Sequence, residues 1–166
     1  MSSDEPVELV RGQLQKRDFP SYEQGRFQVE IGARLYEFAA GHRLGRALGR
    51  VGIVLTRDPD TVLAPALAFL RLNEAQPPPA QIGFLQKAPN LVVKIVERHA
   101  RTPEIRERVS FYRAAGVPLL WVVCPGQQRV DVWHQDLPVQ VIGVDGVLDG
   151  SDVLPGFRLP LADLFG

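Results

Sequence analysis

Hydrophobic side chains recur at helical spacing early in the chain. Between residues 27 and 38 the intervals are four, four and three residues, which places these side chains on one face of a helix of about four turns. Beyond Gly41, Leu44 and Leu48 keep the four-residue interval, and we expect a second helical piece there. The residues of the predicted inner face are Phe27, Ile31, Leu35 and Phe38.

Short apolar runs flank a turn in the next part of the chain. Residues 51–55 and 61–70 enclose Arg57-Asp58-Pro59-Asp60, and this pattern predicts a β-hairpin. Pro65 interrupts the second run, which favours an edge position or a bulge. The other predicted elements are a short strand or loop at 7–14, an exposed loop at 72–89, a hairpin strand at 129–134, an edge strand at 139–144 and a terminal helical turn at 161–165.

A strand, a helix and a second strand follow one another in the middle of the chain. Residues 91–96 and 119–123 are almost wholly apolar, which is typical of central strands. Between them Thr102 fits a helix N-cap and Gly116 a left-handed C-cap. A helical crossover makes two such strands parallel, with a right-handed connection. We therefore predict an α/β fold, with helices flanking the sheet, as a single domain over residues 1–166.

Composition excludes several functional classes. No apolar run reaches the ~18 residues of a membrane span, and the start of the chain lacks the pattern of a secretory signal, so we expect a cytoplasmic protein. Cys124 is the single cysteine, which excludes an internal disulfide and a four-cysteine zinc site. His42, His99 and His134 lack metal-ligand spacing. No phosphate-binding glycine loop or serine nucleophile motif is present.

Charge is balanced overall but unevenly distributed. The chain has 19 Lys and Arg against 19 Asp and Glu, so a general attraction to nucleic acid is not expected. Residues 26–50 carry five arginines against two glutamates, whereas residues 131–166 carry six aspartates against one arginine. The two segments are either ordinary solvated faces or, for the first, a basic patch for a polyanion. The arginines concerned are Arg26, Arg34, Arg43, Arg46 and Arg50.

Several separated motifs resemble one protein family. They are Glu8-Leu9-Val10-Arg11-Gly12-Gln13-Leu14, Val62-Leu63-Ala64-Pro65-Ala66-Leu67-Ala68-Phe69, the segment 88–123 and Asp149-Gly150-Ser151-Asp152-Val153-Leu154-Pro155-Gly156-Phe157. In this order they resemble the Uma-two family of restriction endonucleases, a branch of the PD-(D/E)XK nuclease superfamily. The resemblance covers most of the chain. It implies a restriction-endonuclease-like central mixed β-sheet flanked by helices.

The resemblance also implies a chemistry. Such nucleases hold a magnesium-type ion with an Asp and a Glu from neighbouring strands, and a nearby Lys orients or activates the attacking water. Carboxylate oxygens suit a hard cation, and the ion polarises the phosphate.

This sequence departs from that pattern at each metal-binding position. The Asp position of the Pro-Asp strand is Ala66, the strand Glu position is Lys94, and the Asp that often precedes this strand is Asn90. The basic residue of the following helix is Arg108. Both principal carboxylates are thus missing, and a cation replaces one of them. We expect a degenerate site that binds no metal and uses no cofactor.

Lys94 needs a partner in its apolar strand, because an unpaired buried ammonium is costly. We expect the ammonium to occupy the former ion region, held by Glu30, Glu8 or backbone carbonyls. The alternative is that Lys94 extends to solvent at the sheet edge. Glu97, three residues further, is expected on the opposite face of the strand.

Three functions remain open. The favoured one is a catalytically inactive nuclease-fold protein that retains DNA binding through phosphate contacts. A second is an active metal-dependent DNA endonuclease with relocated ligands. A third is a homodimeric interaction protein without a nucleic-acid role. The candidate phosphate contacts are Arg26, Arg34, Arg43, Arg46 and Arg108.

Overall fold

The fold is built on a six-stranded sheet with helices on both faces. The computed structural model describes residues 5–73 and 83–166. The helices are α1 (Tyr22–Gly41), α2 (Thr102–Ala114) and α3 (Leu161–Phe165). The strands are β1 (Val7–Val10), β2 (Gln13–Lys16), β3 (Gly45–Leu48), β4 (Ile53–Thr56), β5 (Thr61–Leu63), β6 (Leu67–Arg71), β7 (Leu91–Ile95), β8 (Leu119–Cys124), β9 (Arg129–His134), β10 (Gln140–Gly143), β11 (Val147–Asp149) and β12 (Arg158–Pro160).

The strand order confirms the predicted α/β architecture. The large sheet runs β10-β9-β8-β7-β6-β3. It is mixed, because β7 and β8 are parallel and its other neighbouring pairs are antiparallel. α2 makes the crossover between the parallel pair, as the sequence predicts. A second sheet has the order β2-β1-β5-β4, and β11 pairs with β12. No helix of the described residues is long and apolar enough to span a membrane.

Two hydrophobic cores lie on opposite faces of the large sheet. Phe27, Ile31 and Leu35 of α1 pack in the first core, together with the odd-numbered residues of β7. Val92 belongs to the second core, which α2 and the four-stranded sheet cover. Because side chains alternate along a strand, Lys94 faces this second side. The inner face predicted for α1 is thereby confirmed.

α1 is longer than the apolar spacing predicts, since it begins at Tyr22. Ser21 Oγ accepts a hydrogen bond from the Gln24 amide, and the Ser21 amide donates to Gln24 Oε1. This reciprocal capping box satisfies two backbone donors at the helix start.

The predicted second helical piece at Leu44 and Leu48 is wrong. Gly45–Leu48 forms the edge strand β3, which pairs antiparallel with β6. The helix ends at Gly41, and Arg43 then adopts a φ of 52°, which a right-handed helix cannot accommodate. Leucines at a four-residue interval are therefore insufficient here to continue the helix.

The run at 61–70 is divided between two sheets. β5 pairs with β4 in the predicted hairpin, whereas β6 belongs to the large sheet. Pro65 lies between the two strands, because its missing amide hydrogen cannot serve either ladder.

Two further expectations need correction. Arg101, not Thr102, precedes α2 as its N-cap, and Thr102 is the first helical residue. In the predicted loop at 72–89, residues 74–82 lie outside the described residues, and Leu85 is buried. Leu85 exchanges backbone hydrogen bonds with the segment before and within β4, so this part of the loop is anchored.

Gly45 is the glycine on which β3 depends. Its φ is 157°, and a Cβ added there would fall on the carbonyl oxygen of Leu70. Gly41→Ala is the matched control, because nothing lies within 4 Å of the added Cβ. We expect Gly45→Ala to lower the free energy of unfolding by at least about 2 kcal/mol and Gly41→Ala to change it by at most about 1 kcal/mol. Urea unfolding of both variants tests this, and equal effects would contradict it.

Candidate functional site

A cavity of about 370 Å³ opens where the second sheet, the start of α1, the end of β7 and α2 meet. Ala66, Lys94 and Arg108, three of the four positions that the family resemblance assigns to the site, line it together with Glu8. The structure therefore brings these separated positions into one site. The other charged or titratable residues of the lining are Lys16, Arg17, Asp18, Arg50, Glu97, His99, Glu104 and Tyr112.

Ala66 and Lys94 are neighbours because of the β6–β7 register. Leu67 pairs with Val93 in this antiparallel ladder, so the next positions outward are Ala66 and Lys94. Both residues line the cavity, although Ala66 precedes β6 and also packs against the first core.

Arg108 points inward and is anchored in the second core. The residue is 6% exposed, and its Nη2 lies 3.3 Å from Glu8 Oε2 and 3.0 Å from Gln15 Oε1. Glu8 and Gln15 are direct partners across the β1–β2 hairpin, so they present their side chains together. Glu8 also accepts from the Ala64 amide at 3.2 Å and lies 3.4 Å from Arg17 Nε.

Lys94 has more cations than anions around it. Within the described part of the chain its ammonium makes neither a hydrogen bond nor an ion pair. The pKa of Lys94 is lowered from 10.5 to about 8, first by burial and then by the charges of Arg17, Arg108 and Arg50, whereas the charge of Glu8 opposes this shift. The inner end of the cavity is thus a cationic site.

The wall of the cavity is held by contacts between α1 and the segment after β7. Gln24 Nε2 donates to the Ile95 carbonyl at 3.0 Å. Arg98 binds both carboxylate oxygens of Glu23, at 2.8 and 3.1 Å. These contacts fix the position of the helix start relative to Lys94.

Three carboxyl or amide residues lie elsewhere than expected. Glu30 accepts from Arg26 Nη1 at 3.0 Å and is not part of the lining. The expectation that Glu30, Glu8 or backbone carbonyls hold the Lys94 ammonium is therefore wrong for the described residues, and Glu8 acts on it only through its charge. Asn90 lies at the far end of β7, where its Oδ1 accepts from the Arg71 amide at 2.8 Å. Glu97 lines the same cavity as Lys94, because β7 ends at Ile95 and strand alternation stops there.

The arginines of residues 26–50 lie on different elements. Arg26 pairs with Glu30 and lies over the Phe27 ring at 4.4 Å. Arg34 lies exposed on α1, and Arg46 lies exposed on β3, next to Ala47, which packs against the first core. Arg43 is in the turn between these elements.

Sequence reasoning missed Arg17, Arg50 and Gln15 as members or supports of the site. Glu8 and Gln15 are partners across the β1–β2 hairpin, and hairpin partners share a face of the sheet. The alternation of side chains along the two strands could therefore have placed Gln15 beside Glu8. No such signal exists for Arg50, because Arg50 reaches the cavity only through the path of the chain after β3.

The residues present do not fit a divalent metal ion. Among residues 5–73 and 83–166, no three His, Cys, Asp or Glu side chains lie together in an arrangement that could hold one. Glu8 is already engaged by Arg17 and Arg108, and Cys124 is buried with its pKa raised to about 11 by that burial.

Sequence and structure comparisons identify the family. Residues 1–162 match the Uma2 model, described as putative restriction endonuclease. The chain belongs to this family. The fold matches the crystal structure of a putative nuclease belonging to DUF820 from Anabaena variabilis, with a TM-score of 0.84, 16% identity, and coverage of 98% of this chain and 91% of that one. No curated protein matches. The restriction-endonuclease-like fold expected from the Uma2 resemblance is thus confirmed.

The buried charge of Lys94 predicts a gain in stability on its removal. A pKa lowered from 10.5 to about 8 corresponds to about 3 kcal/mol of unfavourable interaction of the charged form. Lys94→Met is expected to raise the free energy of unfolding at pH 6.5 by up to that amount. Between about pH 8 and 10.5 the folded wild type releases its proton before the unfolded chain, so its stability rises and the advantage of the variant shrinks.

Urea unfolding of wild type and variant at pH 6.5 and 9.5 tests this linkage. Lys87→Met is the control, because Lys87 is exposed and does not line the cavity. An equal effect of Lys94→Met at both pH values would show that the charge is not the cause.

Proposed function

We propose that this Uma2 protein is a non-catalytic nuclease-fold protein that binds DNA through phosphate contacts. The observation that carries the proposal is the Lys94 ammonium in the cavity beside Ala66. These positions correspond, by the family resemblance, to the Glu and Asp that hold the metal ion.

Electrostatics disfavour a dication in this cavity. Two unit charges ~4 Å apart at an effective dielectric constant of ~20 interact by about 4 kcal/mol, and a divalent ion doubles that repulsion. The cavity also lacks the attraction that carboxylates at positions 66 and 94 would exert on a divalent ion. Arg108, at the position of the family's basic residue, is also a poor proton-transfer group, because a guanidinium does not release its proton readily.

Relocated ligands would have to come from the remaining carboxylates of the lining. Glu8 is held by two arginines, and Asp18, Glu97 and Glu104 are exposed. Within the described ranges these do not assemble into a three-ligand group. This favours the inactive form over an active endonuclease.

The DNA contacts are proposed for exposed arginines without an acidic partner. Arg34, Arg43 and Arg46 are exposed and make no ion pair with the described residues. Arg50, which lines the cavity, continues this series from the end of β3. Arg26 is partly neutralised by Glu30, and the buried Arg108 belongs to the cavity rather than to an outer surface.

Plasmid cleavage and duplex binding test the two parts of the proposal. We expect no cleavage with Mg²⁺ or Mn²⁺, and duplex binding that weakens as salt rises. Arg34→Gln with Arg46→Gln should reduce the slope of log K against log salt by about 2, one for each lost phosphate contact. Arg158→Gln, an exposed arginine in the acidic segment, should leave the slope unchanged.

Each alternative has its own outcome. Cleavage that a chelator abolishes would establish the active endonuclease. Absence of both cleavage and duplex binding, together with a stable dimer at low micromolar concentration, would support the homodimeric interaction protein.

Restoring the carboxylates tests the placement of the former metal site. Positions 66 and 94 line the same cavity, so we expect Ala66→Asp combined with Lys94→Glu to create a divalent site. Calorimetry with Mn²⁺ should detect binding by the double variant and none by the wild type. Ala66→Asn with Lys94→Gln is the uncharged control. Failure of the folded double variant to bind Mn²⁺ would refute the placement.

A further inference from the structure

We infer that the cavity is a binding site for a phosphomonoester, whose dianionic phosphate occupies the place that the family resemblance assigns to a metal ion. The inference rests on the proposed loss of the metal site and adds a ligand class to it. An ammonium lies where the family resemblance assigns a carboxylate, so we expect the ligand to be an anion instead of a cation.

Three arginines and one carboxylate act on Lys94 through their charges. Lys94 and Arg50 line the cavity without an ion pair to the described residues. Arg17 and Arg108 share the single carboxylate of Glu8, at 3.4 and 3.3 Å. Lys94 is partly buried, and an ammonium without a counter-charge is unfavourable there, so an anion beside Lys94 would reduce that cost.

The donor types suit a phosphate group. Guanidinium groups donate several hydrogen bonds in a fixed plane, and an ammonium supplies a compact charge with three donors. Arg108 Nη2 donates a hydrogen bond to Gln15 Oε1 at 3.0 Å, which fixes the orientation of the guanidinium group. Its buried Nη1 has no hydrogen-bond acceptor among the described residues. Tyr112 stays a neutral phenol, because burial raises its pKa.

The size and lining of the cavity select a monoester over bare phosphate or an internal phosphodiester. A volume of about 370 Å³ lies within the range of small-molecule sites and leaves room for an organic group. Gln24 and Gln28 offer neutral polar contacts. Asp18, Glu97 and Glu104 also line the cavity but are not among the charges that act on Lys94, so we place them farther from the ammonium, where they repel a continuous polyanion but leave the space beside Lys94 to a terminal phosphate.

Two sources share this chemistry: a free nucleotide and the 5′-phosphate end of a nucleic acid. Calorimetry in phosphate-free buffer uses inorganic phosphate, adenosine 5′-monophosphate and adenosine as probes. We expect saturable 1:1 binding of the monophosphate, weaker binding of phosphate and none of adenosine. Lys94→Met should weaken monophosphate binding at least tenfold, whereas Lys87→Met should change it less than twofold.

Lys94→Met separates a lost site from a damaged fold, because the same variant is expected to be more stable than the wild type. A variant that unfolds at higher urea and no longer binds the monophosphate supports the inference. Unchanged binding by Lys94→Met, or no saturable binding by the wild type at millimolar monophosphate, overturns it.

A duplex with a 5′-phosphate, compared with the same duplex carrying a 5′-hydroxyl, distinguishes the sources. Tighter binding of the phosphorylated end that Lys94→Met abolishes assigns the cavity to nucleic-acid ends, and equal binding assigns it to free nucleotides. Mn²⁺ binding by the wild type would overturn the proposed function itself. Absence of both Mn²⁺ and phosphate binding would overturn only this inference.

Discussion

The cationic end of the cavity depends on one carboxylate, Glu8. It pairs with Arg108 from α2 and Arg17 after β2, and it accepts from the Ala64 amide before β6. Removing Glu8 would leave Arg108 buried without a counter-charge, which costs several kcal/mol in comparable pairs. The acid therefore stabilises the basic site and also ties the β1–β2 hairpin to the rest of the fold.

The fold itself does not need a metal ion. Apolar cores fill both faces of the large sheet, and the capping box and the contacts of Gln24 and Glu23 hold α1 in place. Site residues can change while this architecture persists. Lys94 nevertheless opposes folding at neutral pH, since its charged form is buried among other cations. A residue with that effect is easier to explain by a ligand than by packing.

The sequence predicts those parts of the fold in which one periodicity dominates. β7 and β8 are apolar on both faces, and the inner face of α1 has an uninterrupted helical spacing. β3 could not be predicted, because Leu44 and Leu48 fit a helix equally well. The inward position of Arg108 follows from its place four residues before Tyr112 on α2, yet its partners Glu8 and Gln15 are about 90 or more residues away.

The site shows why a family assignment and a chemical assignment require different observations. Membership rests on residues 1–162 as a whole, and it follows from motifs that mainly specify packing and turns. The chemistry that we propose rests on Ala66 and Lys94, which no helical or strand periodicity singles out, and on lining cations that come from β2, from the segments after β2 and β3, and from α2. In that proposal an ammonium replaces a carboxylate, which changes the local charge by two units without a change of fold. The proposed ligand therefore follows from the charges of the cavity, whereas the family assignment specifies the architecture that positions them.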